Sequence, residues 1–252
     1  MWPIAAHAQQ PFVVDDAEVT APRIWHVELS TQVDLLRSTA RPALWQTTTD
    51  VELDVGVAPR VELAVLVPLI GLVSETPDGR RLAAGIGDTS FGAKMRFTKS
   101  PDARHAFAGS VSIEVPSGDR QRELGSGLVD YGVNLISQHR LDSRWTARLN
   151  GGLVLAGNTQ TGAVGIKERG TVIIGGGSLV AQATQRVHLG GEMTIGWSEK
   201  ASLGGSYVSA QLGGNVVLQE GCTLDLALST GWFDASPRVG VQAGLSIDLN
   251  GR

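Results

Sequence analysis

Val51-Glu52-Leu53-Asp54-Val55-Gly56-Val57 sets apolar residues at every odd position and charged or small ones between. A period of two is the signature of a β-strand with one apolar and one polar face. The same pattern recurs from about Trp25 to the end of the 252-residue chain. The strands it predicts are 24–36, 45–57, 61–72, 87–98, 105–116, 128–139, 145–155, 170–182, 187–197, 204–217, 222–230 and 237–249. Each has about ten residues or more, enough for a tilted strand to cross a bilayer. Twelve such runs with almost no helical period between them predict an all-β fold: a single antiparallel up-and-down transmembrane β-barrel of about 12 strands.

The connections alternate in length. Short turns fall at Ala58-Pro59-Arg60, 100–104, 140–143, 183–186 and 219–221. Longer loops occupy 38–44, 73–86, 117–127, 156–169, 198–203 and 231–236. Short connections on one side, long ones on the other and an even strand count describe an outer-membrane barrel with both termini periplasmic.

Composition narrows the class further. The chain carries 21 Lys+Arg against 25 Asp+Glu, with no basic patch, so no nucleic-acid partner is expected. Its one cysteine, Cys222, excludes an internal disulfide framework and a cysteine zinc cluster, and reads as a small hydrophobe. The longest apolar run, Leu63 to Val73, contains Pro68 and is far short of the roughly 20 residues of a membrane helix. Ala6-His7-Ala8 before Gln9 has the small-x-small form of a signal-peptidase site. The expected division is therefore a signal-peptide remnant over 1–8, an N-terminal periplasmic segment over 9–23 and the outer-membrane barrel over 24–252.

Periodicity does not say which face points outward. The aromatics decide it, because they gather near strand ends. Trp25, Phe97, Phe107 and Trp145 fall on the short-turn side; Trp45, Phe91, Tyr131, Trp197, Tyr207, Trp232 and Phe233 fall on the long-loop side. Two belts of amphipathic rings are what membrane interfaces select. The apolar face is thus expected to meet lipid and the polar face to line a wet lumen. Glu52, Glu62, Lys94, Arg96, Glu114, Arg148 and Glu192 sit on that polar face and are the lumen-lining candidates.

Several motifs occur in a fixed order: Pro11-Phe12-Val13-Val14-Asp15-Asp16-Ala17-Glu18, Gly85-Ile86-Gly87-Asp88, Glu114-Val115-Pro116-Ser117-Gly118-Asp119 and Gly125-Ser126-Gly127. With them the chain resembles the MetA-pathway of phenol degradation family. The resemblance implies an outer-membrane β-barrel transporter linked to uptake of aromatic or other hydrophobic compounds. Two departures stand out. The chain ends Leu249-Asn250-Gly251-Arg252 rather than on the aromatic residue that assembly machinery recognises in such barrels, and Ala21-Pro22-Arg23-Ile24 stands where relatives have a glycine.

Asp15-Asp16-Ala17-Glu18 is the densest carboxylate group. It suits a solvated turn before the first strand, a divalent-cation site of hard oxygen ligands, or a segment docked in the barrel mouth as a plug. Gly175-Gly176-Gly177 lacks the Lys-Ser/Thr of a phosphate loop and reads as relief of crowding within a strand. The charged tips Asp78-Gly79-Arg80-Arg81 and Asp119-Arg120-Gln121-Arg122-Glu123 read as solvated loops.

A hydrolytic barrel would need a Ser–His pair with an orienting partner. Of His7, His26, His105, His139 and His188, none has Ser two residues later on its strand face. His26 and Ser30 share a face but are about 13 Å apart along a strand. His188 falls on the predicted lumen face beside Glu192, where a pH-sensitive pore contact is a minor alternative. The expectation is a passive channel or transporter for small, aromatic or hydrophobic solutes, with no cofactor, no metal and no enzymatic activity. Its expected partners are outer-membrane lipids, a small-molecule solute and the outer-membrane assembly machinery. The alternatives are a closed structural barrel without transport and an outer-membrane lipid hydrolase.

Overall fold

The computed structural model describes residues 11–37, 42–100, 102–156, 170–198, 206–233 and 236–250. The expected signal remnant over 1–8 lies outside them. Strands β1 (Ile24–Leu35), β2 (Ala43–Ala58), β3 (Val61–Thr76), β4 (Gly79–Ile86), β5 (Thr89–Arg96) and β6 (His105–Val115) make the first half of the chain. The second half comprises β7 (Asp130–Arg140), β8 (Trp145–Ala156), β9 (Gly170–Gln182), β10 (Val187–Ser198), β11 (Tyr207–Gln219), β12 (Cys222–Gly231) and β13 (Val239–Asn250).

Every neighbouring pair is antiparallel, and the sheet closes where β1 meets β13 from Ile24↔Asn250 to Leu35↔Val239. Closure removes the unpaired edges that an open sheet would expose. β3 pairs with β5 along Val61–Leu66 and with β4 along Leu69–Thr76, so β4 and β5 share one place in the wall. The Gly87 N–H donates to the Pro68 carbonyl at 2.7 Å and carries the ladder across the break. The wall is therefore a 12-strand barrel, as the alternation predicts.

The loop expected over 73–86 is instead a β3–β4 hairpin turning at 77–78. Arg80-Arg81 and the small residues Ala83-Ala84-Gly85 hide the alternation in sequence, yet Leu82 is exposed and Ala83 buried, as a strand demands.

Burial is inverted relative to a water-soluble barrel. In Leu224-Asp225-Leu226-Ala227-Leu228 the leucines are exposed while Asp225 is wholly buried. Leu212 is 71% exposed, whereas Lys94, Arg96 and Glu62 are each 5% exposed. Apolar side chains on the outside and charges on the inside fit a barrel solvated by lipid. All the aromatics of the two expected belts are exposed except Tyr207. Tyr207 shares strand parity with the lumen-facing Ser209 and Gln211 and lines the interior beside Gly196, so it does not belong to the lipid belt. Its place next to a loop does not fix its face; the parity of β11 does.

Candidate functional site

The interior is not empty, because residues 11–23 run inside it. Small residues make the groove that receives them. Ala17 is fully buried against Ala106 and Ala108 of β6 and Ile136 of β7. Val14 lies over Gly176, where an added Cβ would come within 2.7 Å of the Val14 methyl. Gly176, the central residue of the triple glycine of β9, thus clears room for the segment. Gly56 sits under the Thr20 and Ala21 carbonyls, which a Cβ there would collide with. The Arg23 N–H donates to the Gly56 carbonyl at 2.9 Å, and Pro22 bridges to Gly56 where the segment leaves the lumen.

Charge holds the segment in place. Lys94 Nζ lies 2.9 Å from Asp15 Oδ1, 3.7 Å from Asp16 Oδ1 and 3.6 Å from Glu62 Oε1. Arg148 Nη2 reaches Asp16 Oδ2 at 3.3 Å, and Arg96 pairs with Glu18. The Gln138 amide donates to Glu18 at 3.2 Å and accepts from the Ala17 N–H at 3.4 Å. Wall carboxylates bind the segment's backbone in turn. Glu192 accepts from the Val13 and Val14 N–H groups at 2.9 and 2.8 Å, and Glu62 from the Thr20 N–H at 2.6 Å. Charges held this deep persist only when paired and hydrogen-bonded.

Asp15, Asp16 and Glu18 are therefore counter-ions of a cationic wall, not a solvated turn. Among the described residues no group of three or more His, Cys, Asp or Glu is arranged to hold a metal ion. The divalent-cation reading gives way to the ion pairs with Lys94, Arg96 and Arg148.

Five of the seven lumen candidates, Glu62, Lys94, Arg96, Arg148 and Glu192, meet at the segment. Glu114 stands apart in an outer cavity, 3.4 Å from the Ser90 hydroxyl. Glu52 lies on an acidic wall, paired in register with Glu28 and flanked by Asp50 and Asp54. His188 bonds the Asn215 amide oxygen at 2.9 Å in an inner cavity. His26 contacts Asp248 at 2.6 Å and Glu28 at 3.8 Å rather than Ser30.

Two cavities flank the segment and share none of their described lining residues. The outer one, ≈ 390 Å³, is lined by Val13 and Glu192, by the apolar Leu66, Pro68, Ile70 and Leu124, and by Asp34, Asp50 and Tyr207. The inner one, ≈ 240 Å³, is lined by Phe12, Gln138, Arg140, Arg144, Arg148 and His188.

The loop between β6 and β7 folds inward over the outer cavity through Leu124, Gly125 and Ser126, while its charged tip over 119–123 stays exposed. Asp88 accepts from the Gly118 N–H at 2.9 Å and the Ser126 N–H at 2.7 Å. The Ser117 hydroxyl donates to the Gly87 carbonyl at 2.8 Å. Leu124, 1% exposed, packs on Ile70, Leu72 and Ala83. The motifs at 85–88, 114–119 and 125–127 are thus one latch, and the motif at 11–18 is the lumen segment.

With that arrangement the comparisons agree. The family description "MetA-pathway of phenol degradation" matches residues 17–247. The chain belongs to this family. It is similar in structure to the COG4313 outer membrane channel of Pseudomonas putida F1, at 14% identity and TM-score 0.68 over 93% of this chain and 98% of that one. The KdgM porin aligns at 8% identity and TM-score 0.57 over 88% and 98% of the two chains. The NanC porin aligns at 8% and 0.58 over 88% and 100%. At these identities the likeness establishes the fold that this family member shares with them. No curated protein sequence matches the chain.

Proposed function

We propose that this family member is an outer-membrane channel that passively admits small solutes, with residues 11–23 as a plug that sets how far the lumen opens. The observation that carries the reading is the inverted barrel with a charged, partly hollow interior on either side of a docked segment. The likeness to an outer membrane channel and two porins supports it. Solutes would move down their gradient past Glu52, Glu62, Lys94, Arg96, Glu114, Arg148 and Glu192, whose charges set selectivity. The outer cavity has the volume of a small-molecule site and an apolar side, which suits the aromatic or hydrophobic solutes suggested by the family description.

The same reading puts the chain in the bacterial outer membrane, with lipid and the assembly machinery as partners. Residues 1–8 would be the remnant of its export signal and residues 9–23 would enter the lumen from the periplasm. A specific observation favours one rival, a closed structural barrel: the ion pairs around Lys94 tie the docked segment to the lumen wall. Osmotic swelling of proteoliposomes separates the two. A channel gives swelling rates that fall with solute size; a closed barrel gives none above protein-free vesicles.

A further inference from the structure

On the lipid face of the barrel, near its short-turn end, the Ser137 hydroxyl lies 3.0 Å from His139 Nε2. The opposite nitrogen of the same ring, Nδ1, is in hydrogen-bond contact with His105 Nδ1 across the β6–β7 pair. The two imidazoles stand edge to face with centroids 4.6 Å apart, and Phe107 packs edge-on to His139 at 6.2 Å. Ser137 faces Phe107 on one side and Leu149 on the other, both exposed on the apolar exterior with Leu135. Ser137 precedes its histidine by two residues, so a search for serine after histidine passes over it.

We propose that Ser137, His139 and His105 form an acyl-ester hydrolase site on the membrane-facing wall, an activity separate from solute passage. The wiring is that of a nucleophile, a base and an orienting group. The reaction uses the tautomer in which His139 offers its Nε2 lone pair to the serine O–H and donates its Nδ1–H to His105 Nδ1, an arrangement both contacts accommodate. Ser137 Oγ attacks the acyl carbon and its proton passes to His139 Nε2. The ester C–O bond breaks, and the leaving alcohol takes that proton. Water then attacks the acyl-serine, giving one proton to His139; the acid departs and the proton returns to Ser137. His105 is a positioning residue, since it acts on the serine through its contact with His139.

The location sets the substrate class. The three side chains emerge among lipid-facing apolar residues, and His105 lies about 7 Å beyond Phe107 along its strand, at headgroup depth. An acyl ester whose chains lie in the bilayer would reach Ser137 without a cavity, by lateral diffusion. The facing strand β8 presents Ala147 and Leu149, neither of which titrates, and the Arg104 guanidinium is engaged with the Arg140 and Leu141 carbonyls. The pH dependence of the rate would therefore report on the two imidazoles.

The test uses the full chain folded in detergent–phospholipid micelles, with folding of each variant confirmed by its heat-modifiable gel migration. A fluorophosphonate probe is expected to label Ser137, and p-nitrophenyl butyrate and dioctanoyl-phosphatidylcholine to be hydrolysed. Ser137→Ala should abolish both. His139→Gln should slow hydrolysis about 10²–10⁴-fold, the usual worth of a general base. His105→Ala should slow it and displace the acid limb of the pH–rate profile, while His105→Asn, which keeps an acceptor, should restore much of the rate. Absence of label at Ser137, or hydrolysis unchanged in Ser137→Ala, would overturn the site. An unchanged profile in His105→Ala would remove His105 from it.

Discussion

Lys94 Nζ and Asp15 Oδ1 stand 2.9 Å apart, joining strand β5 of the barrel wall to a segment that precedes the first strand. Lys94 also faces Asp16 and Glu62, so one ammonium serves three carboxylates in the barrel interior. Removing one member of a buried ionic group leaves its partners uncompensated, at a cost of about 3–5 kcal/mol. Lys94→Met is therefore expected to release residues 11–23 before it unfolds the barrel. Limited proteolysis should cut the segment in the variant and spare it in the wild type, with the strand region resistant in both.

Gly56 gives a steric version of the same test. A side chain there meets the Thr20 and Ala21 carbonyls through its Cβ, and no rotamer relieves a collision between Cβ and backbone. Gly56→Val should displace the segment while leaving β2 paired, since valine favours strand geometry. A cysteine placed at Val13 should then react with a thiol reagent faster than it does with Gly56 intact. Equal rates would mean that the segment tolerates the collision.

The latch over the outer cavity rests on Asp88 and Leu124. Asp88→Ala removes the acceptor of two backbone N–H groups, and hydrogen bonds to a charged group are worth about 1.5–3 kcal/mol each. Leu124→Ala removes a fully buried side chain, at about 2–5 kcal/mol. Either change should make residues 117–127 exchange their amide hydrogens faster, with the protection of β5 and β6 unchanged.

Lipid exposure can be checked at single positions. Leu135 is 62% exposed at the middle of β7, and Leu135→Arg should destabilise the folded barrel in bilayers by about 2–4 kcal/mol. On a water-soluble barrel the same substitution at an exposed site would cost little. Reversible unfolding in guanidinium, with the barrel in vesicles, distinguishes the two.

Most of the wall was legible in the sequence because each strand faces two solvents of opposite character. Leu224-Asp225-Leu226 cannot be read in another register without turning Asp225 toward lipid. What stayed hidden depends on contacts between distant segments. The β4 strand was masked by Arg80-Arg81 and its run of small residues, and its pairing with β3 is visible only once the hairpin is formed. The nearness of Tyr207 to a loop suggests the lipid belt, although strand parity turns it inward.

The candidate site was legible in part. Glu62, Lys94, Arg96, Arg148 and Glu192 were found as polar-face residues. Their convergence on Asp15, Asp16, Glu18 and the Val13–Val14 backbone could not be read, because it joins residues up to 179 positions apart. The glycines and alanines facing that segment were the available signal: Gly176, Ala106 and Ala108 put little bulk where a filled lumen would otherwise want side chains.

The most direct measurement is the single-channel conductance of the full chain and of a variant lacking residues 9–22, both refolded into planar bilayers. A plugged channel should give small steps in the full chain and steps several times larger after the deletion, with the ion selectivity changed because Lys94, Arg96 and Arg148 lose their counter-ions. Equal conductance in the two proteins, or silence in both despite insertion, would contradict the lumen as a solute path governed by its N-terminal segment.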